Sequence, residues 1–122
     1  MTDDSPVRVL IVDDSEDQLM LLRTYFERAG CAVVGTTSAR DAIDIYDQAA
    51  PELTVIDLVL PGMDGWELAA ELRQSHPDCV IAITSVLGEE HYPAAHVVLP
   101  KPVTSTQVRQ ALVAAVPRWK AA

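Results

Sequence analysis

The sequence predicts an α/β domain built on a doubly wound, five-stranded parallel sheet. Short apolar runs alternate with segments of helical period from Val7 to Val116. The runs are rich in Val and Ile and nearly continuous, the pattern of strands covered on both faces. Strands alternating with helices in this way are parallel and joined by right-handed crossovers. The 122 residues suit one domain, read as 1–122 with its core at 7–116. A domain near this size buries roughly two thirds of the surface of its unfolded chain.

The elements follow in order. VRVLIV (7–12) is the first strand. In 16–29, Leu19, Leu22, Phe26 and Ala29 fall on one helical face, and Gly30 follows as a stop. CAVVGT (31–36) is the second strand. In 39–50, Ala39, Ile43, Tyr46 and Ala50 share a face, with Ser38 as N-cap and Pro51 as the stop. LTVID (53–57) is the third strand, and Asp64 caps a helix over 65–75 whose apolar face is Leu68, Ala69 and Leu72. CVIAIT (79–84) and HVVL (96–99) are the fourth and fifth strands. After Thr104, Val108, Ala111, Leu112 and Ala115 mark a last helix over 105–116. The fourth crossover, SVLGEEHYPAA, breaks the pattern: Gly88 and Pro93 bracket four residues, leaving room for a turn of helix on either side of Pro93.

Composition narrows the function. Apolar residues make up 49 % and charged residues 22 %, a globular balance. No apolar run approaches the ~20 residues of a membrane span, and the acidic start MTDDSPVRV is neither a signal nor a transit peptide. A formal charge of −9 with nine scattered basic residues argues against direct nucleic-acid binding. Cys31 and Cys79 both open strands and have no His at zinc or nucleophile spacing, so they read as buried, reduced thiols of a cytoplasmic protein.

The stretch LIVDDSED ends a strand on two adjacent aspartates. Like charges ~4 Å apart cost on the order of 4 kcal/mol at an effective dielectric of about 20, so either the pair points freely into water or something positive sits there. Open α/β sheets bind ligands beyond the carboxyl ends of their strands. Strand one ends in Asp13 and Asp14, strand three in Asp57, strand four in Thr84, and strand five leads into Lys101. If strands one and three are neighbours, their acids converge. An oxygen-rich, Cys-free set suits a hard cation such as Mg²⁺. A carboxylate beside such an ion can attack phosphorus and form an acyl phosphate, with Lys101 and Thr84 holding phosphoryl oxygens.

Asp13-Asp14, DLVLPGMDG with Asp57, IAITS with Thr84 and LPKP with Lys101, in that order on a βα alternation, resemble the receiver domains of bacterial response regulators. The resemblance covers Val7 to Val116. It implies a flavodoxin-like receiver fold with strand order 2-1-3-4-5. It also implies Asp57 as phosphoacceptor, with Mg²⁺ on Asp13, Asp14, Asp57 and the Val59 carbonyl. Lys101 would contact the phosphoryl group, Thr84 would move to it, and the Lys101–Pro102 bond would be cis. The partner would be a sensor histidine kinase or a histidine phosphotransfer protein. The domain would be a phosphoacceptor that assists its own phosphorylation and dephosphorylation, not an enzyme acting on other molecules.

Two features depart from the family pattern. Val98 stands where an aromatic residue is usual, three before the lysine, and the segment between Thr84 and Lys101 is short, so the fourth helix is thinned or missing. Output is then expected from another surface or from an order change in 85–95. The sequence runs only six residues past Val116, which predicts action through protein contacts, a homodimer among them, or onward phosphoryl transfer. Two alternatives stand beside this reading: a phosphorylation-independent interaction or dimerisation module, and a Mg²⁺-dependent phosphatase with an Asp nucleophile. His76, His91 and His96 read as surface or loop residues, Thr36 and Thr37 as loop, and Trp66 and Trp119 as packing.

Overall fold

The structure, a computed structural model, describes residues 5–85 and 97–120. Among these residues nine elements follow in order: β1 (Arg8–Val12), α1 (Glu16–Arg28), β2 (Ala32–Thr36), α2 (Ala39–Ala49), β3 (Leu53–Asp57), α3 (Gly65–Ser75), β4 (Ile81–Ser85), β5 (Val97–Pro100) and α4 (Ser105–Ala115). The strands form one sheet in the order β2-β1-β3-β4-β5, every neighbouring pair parallel. The expectation of a thinned or missing fourth helix falls on residues 86–96, outside the described residues.

The two-residue period of the strands splits the core in two. Val9, Ile11, Val55, Ala82 and Leu99 pack with Leu22 and Phe26 of α1 and Val108, Ala111 and Leu112 of α4. Leu10, Val12, Ile56, Ile81 and Ile83 pack on the other side with Ala42 and Tyr46 of α2 and Leu68, Ala69 and Leu72 of α3. The sheet is therefore wound on both faces. Each helix starts on a side-chain cap that satisfies an orphan N–H. Ser15, Ser38, Asp64 and Thr104 accept from the N–H groups of Gln18, Asp41, Glu67 and Gln107. The Thr104 N–H in turn donates to the Gln107 side-chain oxygen, completing a capping box.

Three local expectations are corrected. The second strand is not covered on both faces: β2 is an edge strand, and Ala32 and Val34 are exposed. On α2 the buried stripe is Ala39, Ala42 and Tyr46. Ala50 lies beyond the helix as its C-cap at φ 43°, and it is exposed because the left-handed cap turns the chain off the face. Cys31 and Cys79 are buried but precede β2 and β4, because the ladders begin at Ala32 and Ile81. Trp119 does pack, and its Nε1 donates to the Ala29 carbonyl at 2.8 Å.

At the end of the sheet where the strands begin, Glu52 joins distant parts of the chain. Arg118 donates to its carboxylate through Nε at 2.6 Å and Nη2 at 2.7 Å, and also to the carbonyls of Ser5 and Pro6. The Arg8 N–H donates to the same carboxylate at 3.2 Å. These bonds hold the Glu52 carboxyl below its ordinary range, the Arg118 hydrogen bonds contributing most.

Candidate functional site

At the carboxyl ends of the strands the acids predicted from the sequence meet. Asp13 leaves β1 with its N–H donating to the Thr36 carbonyl at 3.1 Å. Its Oδ1 accepts from the Ser15 N–H at 3.0 Å, a local turn that also sets Ser15 as the cap of α1. The side chain is fully buried. Burial pushes the Asp13 carboxyl up. The Ser15 N–H and the Lys101 ammonium oppose that shift, and the Asp57 charge adds to it.

Asp57 is the last residue of β3, in register with Thr84 on β4, and is 4 % exposed. Its Oδ1 accepts from the Val59 N–H at 3.1 Å, and its Oδ2 accepts from Lys101 Nζ at 3.2 Å. The same ammonium lies 3.5 Å from Asp13 Oδ2. Asp14 is exposed, yet Asp13, Asp14 and Asp57 each place a carboxylate oxygen within 4.8 Å of the others. Adjacent parallel pairing of β1 and β3 brings this about, because both strands end at the same level.

The turn after Asp57 is shaped by backbone requirements. Gly62 has φ +76°, a left-handed conformation that favours glycine. Gly65 opens α3 directly over the strand end, and its N–H donates to the Leu58 carbonyl at 2.9 Å. A Cβ there would lie 2.5 Å from both the Asp57 carbonyl oxygen and Leu58 Cα, so only glycine lets the helix approach this closely.

Asp13, Asp14, Asp57 and Lys101 thus form one cluster. Thr84 is next to it in the sheet, but its buried Oγ1 makes no hydrogen bond among the described residues. The Val59 side chain is 59 % exposed, and its contact with the cluster is through its N–H. The Lys101–Pro102 bond is cis. Thr36, read from the sequence as plain loop, has a place here, since its carbonyl fixes the Asp13 backbone. Nothing in its side chain signals that; the β1–β2 register decides it. Ser15 carried a signal, a Ser three residues before Gln18 at a helix start.

The cluster holds three carboxylates and one ammonium. Asp13 Oδ2 is buried with no hydrogen-bond partner among the described residues. Oxygen-only donors, excess negative charge and a buried carboxylate oxygen that has an ammonium at 3.5 Å but no hydrogen bond among the described residues fit a hard divalent cation.

Comparison with known proteins agrees with this geometry. The response regulator receiver domain model matches residues 9–113. The chemotaxis protein CheY of Thermotoga maritima is 32% identical over 84 residues, covering 68% of this chain and 70% of that one. A protein-glutamate methylesterase/protein-glutamine glutaminase of Myxococcus xanthus is 39% identical over 94 residues, 74% of this chain, and the match spans 26% of that protein's length. Among solved structures, the CheX-CheY-BeF3-Mg+2 complex from Borrelia burgdorferi superposes with a TM-score of 0.82 at 24% identity, covering 88% of this chain and 87% of that one. Motifs, fold and family match coincide, and this chain belongs to the response regulator receiver domain family.

Proposed function

We propose that this chain is a phosphoacceptor switch, in which Asp57 takes a phosphoryl group from a phosphohistidine on a sensor histidine kinase or phosphotransfer protein. One observation carries the reading. The Asp57 carboxylate sits at a strand end with Lys101 on one oxygen and two further aspartates beside it. In the transfer a carboxylate oxygen of Asp57 attacks phosphorus, an O–P bond forms, and the P–N bond to the donor imidazole breaks. The imidazole leaves with the bonding pair and takes up a proton. The product is an acyl phosphate on Asp57.

This chain's residues act mainly by position and charge. Lys101 neutralises charge on the transferring group, and the buried Thr84 hydroxyl, on the adjacent strand, makes no hydrogen bond among the described residues and is placed to donate. Asp13, Asp14, Asp57 and the Val59 carbonyl would hold Mg²⁺. The ion would supply countercharge to the phosphoryl oxygens. The Borrelia burgdorferi neighbour is a complex with BeF3 and Mg, and the acid cluster here offers the same kind of oxygen donors. The working unit is a single receiver domain with its core at 7–116, acting in the cytoplasm and switching protein contacts instead of turning over substrate. A phosphatase reading gains no support from the residue two after Asp57, which is Val59, an apolar side chain with no acid–base capacity.

Intact mass after incubation with Mg²⁺ and acetyl phosphate tests this, on wild type and Asp57→Asn. One phosphoryl adduct on wild type, absent from the variant and lost with EDTA, is the expected result. No adduct from acetyl phosphate or from a histidine kinase, with no Mg²⁺ binding, would leave the interaction-module reading in its place.

A further inference from the structure

The β2 edge of the sheet, open among the described residues, carries features that the phosphoacceptor reading leaves unused. In the β1–β2 ladder the Ala32 N–H donates to the Val7 carbonyl, and the Thr36 carbonyl accepts from the Asp13 N–H. Backbone groups alternate sides along a strand, so Ala32, Val34 and Thr36 face β1. Val33 and Gly35 therefore turn their N–H and C=O groups to the open edge. Natural edges are commonly blunted by Lys, Pro, a bulge or an inward charge, and AVVGT has no Lys, Pro or charged residue.

We propose that this β2 edge is the interface between two copies of the chain, paired antiparallel about a twofold axis at Val34. Three observations converge on a second copy as the occupant. The first is hydrogen bonding. An antiparallel copy centred on Val34 sets Val33 opposite the partner's Gly35 and Gly35 opposite the partner's Val33. Both are hydrogen-bonded pairs, and they satisfy all four outward N–H and C=O groups of the two residues on each copy.

The second is shape. The central Val34–Val34 pair is the non-hydrogen-bonded kind, whose side chains come closest. Val34 is 41 % exposed and lines a groove of about 280 Å³ with Ile45, Gln48 and Ala49 of α2. The twofold brings two such grooves together with both Val34 side chains between them.

The third is charge. On the opposite face of the sheet, α1 runs antiparallel to β2 over Gly35, whose missing side chain makes room for it. A Cβ on Gly35 would lie 2.9 Å from Leu19 Cδ1 and 3.3 Å from Arg23 Nη2. Glu27 is one turn further along the same helix face, about 6 Å away at 1.5 Å per residue. That is close to the Val33–Gly35 spacing of about 6.6 Å along a strand. The antiparallel copy therefore sets Arg23 of each chain opposite Glu27 of the other. Among the described residues neither side chain is in an ion pair within its own chain. A net charge of −9 works against self-association, and these two reciprocal pairs offset it at the contact.

Sedimentation equilibrium of the unphosphorylated wild-type chain, from about 1 µM to about 1 mM, reads this directly. The expected mass rises toward twice that of the chain. Val34→Asp and Arg23→Glu each remain monomeric, and Arg23→Glu with Glu27→Arg regains the dimer. All three positions are at least partly exposed, and circular dichroism confirms that each variant folds. A wild-type monomer throughout the range overturns the proposal. So does a dimer unaffected by Val34→Asp, or one that the double reversal fails to restore. Because the test uses no phosphodonor, its failure leaves the phosphoacceptor reading intact.

Discussion

Lys101 Nζ lies 3.2 Å from Asp57 Oδ2, although Lys101 follows β5 and Asp57 ends β3, strands separated by β4. The long lysine side chain crosses the end of β4 to reach the acid. This geometry makes Lys101 a countercharge for the carboxylates, and in the proposed transfer it would serve the phosphoryl group on Asp57 in the same way. Lys101→Ala should slow uptake of the phosphoryl group about 10²-fold or more, the scale of removing one preorganised donor from a charged transition state. Mg²⁺ affinity should rise, because a competing cation has left the pocket. Phosphorylation kinetics by intact mass and Mg²⁺ titration by calorimetry read the two effects separately.

Trp66 is the second residue of α3, next to the Gly65 that rests on the Asp57 backbone. It is half-buried and near the acids, while Trp119 is in the other core layer. Titration with Mg²⁺ should change the tryptophan emission in a saturable way. Asp14→Asn should weaken the response, and Trp66→Phe should abolish it while calorimetry still shows binding. A response retained in Trp66→Phe would place its origin elsewhere.

Gly65→Ala should destabilise the fold by about 2–3 kcal/mol, because the new methyl group meets the rigid Asp57–Leu58 backbone and overpacks the junction. Gly62→Ala tests a different cause. Nothing lies within 4 Å of its added Cβ, so only the left-handed backbone at φ +76° is strained. Its cost should be about 1–2 kcal/mol. Urea unfolding of both variants ranks the two effects, and only Gly65→Ala should also slow phosphoryl uptake.

Glu52→Gln should lower stability at pH 7 by about 1.5–3 kcal/mol, the scale of hydrogen bonds to a charged group. The Glu52 carboxyl is lowered in the folded state, first by its Arg118 hydrogen bonds. A lowered folded value means the contribution is complete above the unfolded glutamate value of about 4.3 and lost as pH falls through the folded one. The gap between wild type and variant should therefore be constant near neutrality and close below about pH 4. Urea midpoints across that range measure it.

The amino-acid sequence by itself determined the α/β alternation, four helices with caps legible at Ser38 and Asp64, and the acids and lysine at the strand ends. Those features are local: an apolar run stops at Asp13 or Asp57, and a cap such as Asp64 is three residues from the N–H it satisfies. The tertiary structure decided what depends on contacts between distant segments. Parallel pairing of β1 with β3 brings Asp13 and Asp57 together, and the β1–β2 register gives the Thr36 carbonyl its role at Asp13. Gly35 looks like an ordinary strand glycine until α1 is placed over it, and Glu52 like a surface acid until Arg118 arrives from 66 residues away. The apolar run of β2 is a buried-strand pattern, yet its place at the edge leaves Val34 exposed. Hydrophobic pattern reports how much apolar surface a segment must hide, while the order of strands in the sheet decides which neighbour is there to cover it.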